Sequence, residues 1–527
     1  MTSMTILGKG VPEVIPIKFT ALFNSLPHTK SGTRSLNRNV LFAAESLEAA
    51  SKLAGIACEM AGFRKSYVHF AFVGRDYMDI ELFKELNGIT DEVGGCKVMF
   101  HDARAEFANR MTEDRLKIAT KTGLRHLHDF IHPQITLLSV DHEEEWFIET
   151  ARQTTQQLQM QTIELPENAA NDLRWITRLD SGSIGAWNKP SFEIMIHADK
   201  HSGNLERLLK SLELAFYPAG HRPKSLTIIL DPSAPLNAFT KSFLSDYSFP
   251  SSTRTFIRRP LLPVLTTKET AMRFVESFYP VNDSTFLLIL DTNIELSKWY
   301  FHYLLFATLQ YKYSIYKHTT NSLYGISLVE PTSFLNGTNP FPVPLGKSPF
   351  LYPVPSSHAA LYFPNHWSEF HSFFSKNLQF PIREATAANK TGLISLTISK
   401  EVAESWSTPF ISLIRARGYA MLYPSFPRDT LAILHTEQPS YTRSKHGFEK
   451  TLMDKNNLLN GLPDEDLPIY NRIPLLDWWG QPILWDKLEL DAFQYRRAIS
   501  SCLDVSAPNY NFDAGDLFCD PKGNRLE

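Results

Sequence analysis

Asp291 and Asn293 stand two residues apart at the end of the apolar run Phe286-Leu287-Leu288-Ile289-Leu290, and a carboxylate and an amide at that spacing could hold a divalent cation and, through it, a nucleotide diphosphate. The residues alone leave a second reading open, in which Asp291-Thr292-Asn293 is a turn that caps the aromatic-rich helix after it. Asp231 closes a comparable run, Leu226-Thr227-Ile228-Ile229-Leu230, so two carboxylates fall at strand ends. Asp102 and Asp141 end two earlier runs, but no glycine-rich fingerprint accompanies them and the cap or turn reading is preferred there. Gly74-Arg75-Asp76 reads as a turn without a phosphate-loop pattern.

These residues need strands to position them. An unbroken β-type run suits a strand buried on both faces, and ligands of open α/β sheets bind beyond the carboxyl ends of such strands. From Asn39 the chain alternates short apolar strands with helices, which predicts a parallel, doubly wound sheet. Residues 1–36 read as a leader, 37–166 as a Rossmann-like α/β domain, and 167–190 as a linker containing a helix from Asn168 to Leu179. A second strand and helix rhythm occupies 191–438 and places Asp231 and Asp291 on one sheet edge, with 439–527 as a C-terminal extension packing on it.

A chain of 527 residues calls for two or three domains. A hydrophobic fraction of 43%, a charged fraction of 21% and a net charge of −3 describe an ordinary globular protein and give no reason to expect nucleic acid as a partner. Cys58, Cys96, Cys502 and Cys519 show neither metal-ligand spacing nor the density of a disulfide scaffold, so they are expected to be reduced or incidental. The first thirty residues assemble no secretory signal, and no stretch reaches the ~20 apolar residues of a spanning helix. The expectation is a cytoplasmic protein without an integral membrane segment. Three sequons occur, at Asn282, Asn336 and Asn389.

From Ser191 to Pro424 the order and spacing of several motifs resembles the family 2 nucleotide-sugar glycosyltransferases, which have the GT-A fold, and most closely a subgroup found in bacteria, plants and fungi. Arg207-Leu208-Leu209-Lys210-Ser211-Leu212 matches the helix after the family's first strand, while Ala198-Asp199-Lys200 stands where Thr-Tyr-Asn is usual. The resemblance implies donor binding by Asp199 and Asp231, at base and ribose, and by Arg258 and Arg259, at the diphosphate. It implies Mn²⁺ or Mg²⁺ at Asp291 and Asn293, followed by Ser297 and Tyr300, although Thr292 and Asn293 replace two of the family's acids. Pro355-Ser356-Ser357-His358-Ala359 and Trp367 match residues that border the acceptor, with His358 in place of a Trp. Glu401 and Glu404 are the nearest carboxylates to that acceptor position, and Glu404 is the candidate base.

The fold class implied is therefore α/β, a Rossmann-like domain followed by a GT-A domain with a mixed, mostly parallel sheet. The reaction implied is an inverting single displacement from a nucleotide-sugar donor to a hydroxyl acceptor, in which a carboxylate takes the acceptor proton as the nucleoside diphosphate leaves. The competing class is a noncatalytic nucleotide-sugar or glycan-binding protein on the same scaffold. A Rossmann-type oxidoreductase is disfavoured, because no Gly-x-Gly-x-x-Gly follows the first strand.

Overall fold

The computed structural model describes residues 16–29, 37–90, 92–198, 202–218, 220–230, 238–247, 249, 253–259, 266–315, 320–338, 341, 348–382, 398–399, 405–424, 431–435, 457–502, 514–520 and 522–526. The chain divides into two compact units, Met1–Gly185 and Ala186–Glu527.

In the first unit the strands β1 (Asn39–Ala44), β2 (Tyr67–Phe72), β3 (Met99–Asp102), β4 (Ile135–Ser139) and β5 (Gln161–Leu165) form one parallel sheet in the order β3-β2-β1-β4-β5. The crossover helix Leu47–Gly62 starts where the Ser46 hydroxyl accepts from the Ala49 N–H, and its buried residues are mostly alanine, with Ala49, Ala50, Ala54, Ala57 and Ala61 beside Leu53, Ile56 and Met60. This doubly wound α/β arrangement is the one expected from the sequence.

Its borders differ from that expectation. Within the supposed leader, Phe19, Leu22 and Leu26 pack into the core beside Leu116, Leu124 and Leu127. The supposed linker belongs to the first unit as far as Gly185, where Trp175, Ile176 and Arg178 are buried and Arg174 and Arg178 both pair with Glu59. An apolar stripe only a few residues long carries no periodic signal, so both segments look like connectors until the surface that covers them is known.

In the second unit, β6 (Ser191–Ala198), β7 (Ser225–Leu230), β8 (Arg254–Arg258) and β9 (Thr285–Asp291) are parallel neighbours. The short β10 (Ile294–Leu296) leaves the sheet, and β11 (Leu323–Ser327), β12 (Phe350–Tyr352), β13 (Ala359–Tyr362) and β14 (Ala420–Tyr423) extend the far side with mixed pairing. After β15 (Ala432–Leu434), the C-terminal β16 (Leu475–Leu476) and β17 (Pro482–Ile483) complete a ten-stranded sheet in the order β17-β16-β12-β14-β11-β13-β9-β6-β7-β8. One face is covered by an aromatic core in which Trp367, Trp406, Phe370, Phe410 and Tyr362 meet.

Gly325 lies in β11 where a Cβ would stand 2.6 Å from the Leu361 carbonyl oxygen of the neighbouring strand. Gly325→Ala is therefore expected to lower stability by about 1–3 kcal/mol, read as a lower midpoint in urea without a change of slope.

The cysteines are a correction to the sequence expectation. Cys58 is bonded to Cys96 across 38 residues and Cys502 to Cys519 across 17, and no free cysteine is found among the described residues. Separations of that kind carry no motif, and only the fold brings the partners together.

Candidate functional site

β6 and β9 end side by side, with His197 in register with Asp291. Strand alternation puts both on the face that carries Met195, Leu287 and Ile289, at the carboxyl edge of the parallel strands. Asp291-Thr292-Asn293 does not cap a helix. It turns the chain from β9 into β10, a strand that pairs with β15, and the aromatic-rich helix starts only at Tyr300.

The turn is held from every side. Asp291 Oδ1 accepts the Asn293 backbone N–H at 2.9 Å and its side-chain Nδ2–H at 3.0 Å. Asp291 Oδ2 lies 3.1 Å from His358 Nδ1, and the Asp291 N–H donates to the His358 carbonyl at 2.6 Å. Asn293 Oδ1 in turn accepts from Asn204 Nδ2 at 2.5 Å, and Arg207 Nη2 donates to Asn204 Oδ1 at 3.2 Å. The Asn293 carbonyl takes the His435 N–H at 2.9 Å, while His435 Nε2 sits 2.8 Å from Glu295 Oε2.

Burial pushes the Asp291 carboxyl up, but the His358 imidazole and the two N–H groups of Asn293 outweigh it and hold the group below the usual carboxylate range. Burial alone lowers His197 to about 4, so its ring is neutral at pH 7; it stacks on Phe274 at 4.4 Å. The edge thus presents an ionised carboxylate clamped to an imidazole. Nε2 of that imidazole has no hydrogen-bond partner among the described residues, and the His358 side chain is 42% exposed.

The other sequence candidates are placed as follows. Arg258 ends β8 and is exposed, with Nη1 donating to the Ser277 carbonyl at 3.3 Å, and Arg259 follows it on the surface. β8 is three strand spacings from β9, so Arg258 is about 14 Å from Asp291 across the sheet. Trp367 is fully buried in the aromatic core, and its indole N–H donates to the Phe278 carbonyl at 3.2 Å; packing accounts for it. Ser297 and Tyr300 are buried supports, the Tyr300 hydroxyl meeting that of Tyr217 at 3.0 Å. Asp199, Asp231, Glu401 and Glu404 lie outside the described residues.

Asn204, Glu295 and His435 are additions from the fold. Asn204 stands at the start of the helix Ser202–Leu214 directly after β6, a position that sequence could have flagged as a strand-to-helix junction. His435 carries no such signal, because its role depends on β15 returning to β10.

As a cation site, the donor set fits poorly. Hard divalent cations take six or more oxygens, or keep several waters on one or two carboxylates. Here one carboxylate has both oxygens engaged by N–H donors and an imidazole, and the Asn293 amide oxygen is engaged by Asn204. No cluster of three or more His, Cys, Asp or Glu suited to a metal occurs among the described residues. No helix among them is long and apolar enough to cross a membrane.

Comparison with known proteins gives matches for both units. Residues 24–187 match the family described as SPBC1E8.03c N-terminal domain, and residues 203–381 match the family described as SPBC1E8.03c C-terminal domain. No curated protein matches the chain. Among solved structures, S. aureus TarS 1-349 is similar at 11% identity and a TM-score of 0.26, over 45% of this chain and 59% of that one. A putative UDP-N-acetylglucosamine 2-epimerase from Listeria monocytogenes aligns at 10% identity and a TM-score of 0.20, over 43% of this chain and 70% of that one. Mouse xyloside xylosyltransferase 1 aligns at 13% identity and a TM-score of 0.22, over 36% of this chain and 71% of that one. Likeness this slight carries no inference about activity.

Proposed function

We propose that the second unit binds a nucleotide-sugar at the carboxyl edge of β6, β7, β8 and β9 and transfers the sugar to a hydroxyl acceptor. The observation that carries this reading is the Asp291 and His358 pair at the end of β9, built into a fixed turn and open to solvent on the imidazole side. In this reading Asp291 accepts the Nδ1–H and orients the ring, and the imidazole, taking a second proton as the anionic donor binds, donates its Nε2–H to an oxygen of the departing diphosphate. Arg258 and Arg259 attract the nucleotide end of the donor, while Asp199 and Asp231 serve its base and ribose. Glu404 is assigned the acceptor proton. As that hydroxyl oxygen bonds to the anomeric carbon, the bond to the diphosphate breaks and the charge left behind is neutralised by His358 in place of a tightly held cation.

The same geometry favours one competing reading. A carboxylate with both oxygens satisfied suits a binding protein that has lost its chemistry as well as a transferase that has replaced its metal. A panel of nucleotide sugars, assayed for nucleoside diphosphate release with acceptor mixtures, separates the two. Transfer is expected to persist in EDTA, and His358→Ala is expected to reduce kcat about 10²–10³-fold with a smaller change in KM. Thermal stabilisation by a donor without any diphosphate release would instead support the binding protein.

A further inference from the structure

Two features have no part in that function. The first is that all four cysteines are paired, Cys58 with Cys96 in the first unit and Cys502 with Cys519 in the second. Structural disulfides form and persist in oxidising compartments and are rare where glutathione keeps thiols reduced. The second is the local geometry of two sequons, Asn282-Asp283-Ser284 and Asn336-Gly337-Thr338, whose asparagines are both exposed.

The two asparagines share one conformation. Asn282 Oδ1 accepts the Ser284 N–H at 2.9 Å, and Asn336 Oδ1 accepts the Thr338 N–H at 3.0 Å and the Thr338 hydroxyl at 2.7 Å. These are Asx turns, which tie down the amide oxygen and turn the amide nitrogen outward. Nδ2 of Asn282 and of Asn336 donates to no described residue. By contrast, Asn37, Asn39, Asn204 and Asn293 each commit Nδ2 to a hydrogen bond. Asn282 also lies in the turn before β9, at the opposite end of that strand from Asp291. A seven-residue strand is about 20 Å long, so a large group on Asn282 stays clear of the carboxyl edge.

We infer that this protein matures in an oxidising, glycosylating compartment and carries N-linked glycans on Asn282 and Asn336. In each glycan the asparagine Nδ2 bonds to the anomeric carbon of an oligosaccharide carried on a lipid diphosphate. The bond from that carbon to the diphosphate oxygen breaks, the lipid diphosphate leaves, and the amide gives up one proton to base. Each disulfide forms as two thiols pass two electrons and two protons to a disulfide-bearing oxidant of the same compartment, which becomes a dithiol. The inference is independent of the proposed sugar transfer, since neither sequon nor disulfide belongs to the donor edge.

The test is intact-mass analysis of the protein isolated from the cells that make it, before and after a peptide-N-glycosidase, with thiols alkylated in the presence or absence of reductant. The expected result is a mass drop on deglycosylation that includes one oligosaccharide unit from Asn282 and one from Asn336, with all four cysteines alkylated only after reduction. Asn282→Gln and Asn336→Gln should each remove one unit. Should either variant misfold, Ser284→Ala and Thr338→Ala test the same sites with the asparagine in place, and Thr338→Ser should keep its glycan. An unchanged mass on deglycosylation, glycans that persist undiminished in these variants, or cysteines alkylated without reductant would overturn the assignment.

Discussion

Arg417→Ala is expected to destabilise the second unit by about 3–5 kcal/mol, because it leaves a buried carboxylate without its counter-charge. Arg417 is 3% exposed and Glu369 fully buried, and the guanidinium bonds Glu369 through Nε at 2.6 Å while its other two nitrogens grip Asp516 at 2.6 and 2.7 Å. The Tyr419 hydroxyl takes the second Glu369 oxygen at 2.8 Å. Burial already raises the Glu369 carboxyl above its usual range despite the pull of Arg417. Without the arginine the group can relieve its charge by taking a proton, so the deficit of the variant should be larger at pH 8 than at pH 5. Replacing Arg417 and Glu369 together by Met should cost less than Arg417→Ala, since the fully buried charge pair disappears and only the partly exposed Asp516 carboxylate loses its partner. Urea titrations of the three proteins at both pH values check all of this, and equal losses for the single and double variants would show that packing, not charge, sets the penalty.

A second large effect is expected on the acid side. His69, His101, His197, His221 and His366 are all lowered by burial, His69 and His366 to about 3 and the others to about 4, with the neighbouring His101 adding to the fall at His69. His69 Nδ1 and His101 Nε2 meet at 3.0 Å, a contact that one shared proton satisfies and a second would disrupt. A histidine with a folded pKa below its unfolded value stabilises the fold above about 6.5, and that stability drains away as the pH falls through the folded pKa. By pH 4 each of these groups costs about 3 kcal/mol. The contribution of these histidines should therefore be steady above pH 7 and fall steeply between 6.5 and 4. In His366→Phe the slope of stability against pH over that interval should be shallower by about 1.4 kcal/mol per pH unit. A slope unchanged from the parent would mean that His366 is protonated in the folded protein.

The run that ends at Asp291 is legible in the sequence because burial on both faces removes all polar alternation, and burial on both faces holds also for the run ending at Ser139. The site beyond that run is legible only in part. His358 stands out by its place in a motif, but its bond to Asp291 depends on β13 lying antiparallel to β9, a pairing across 67 residues. Ile294-Glu295-Leu296 is too short to announce a strand, and its partner β15 has no local signature either. Trp367 shows the opposite failure. An aromatic residue in a helix reads equally well as a binding wall or as core, and burial decides for core. The cysteines mislead for a related reason, because contact between Cys58 and Cys96 is a property of the tertiary fold and not of their spacing.

The pairing of β10 with β15 also bears on the order in which the molecule assembles. The turn that holds Asp291 is complete only when His435 reaches Glu295, 140 residues further along the chain. On a ribosome, β6, β7 and β9 can emerge and associate well before that clasp exists, and closing so long a loop is slow compared with local pairing. A nascent chain arrested between the ends of β14 and β15 would thus carry most of the sheet with the Asp291 turn unfastened, and that turn would close late and abruptly during synthesis.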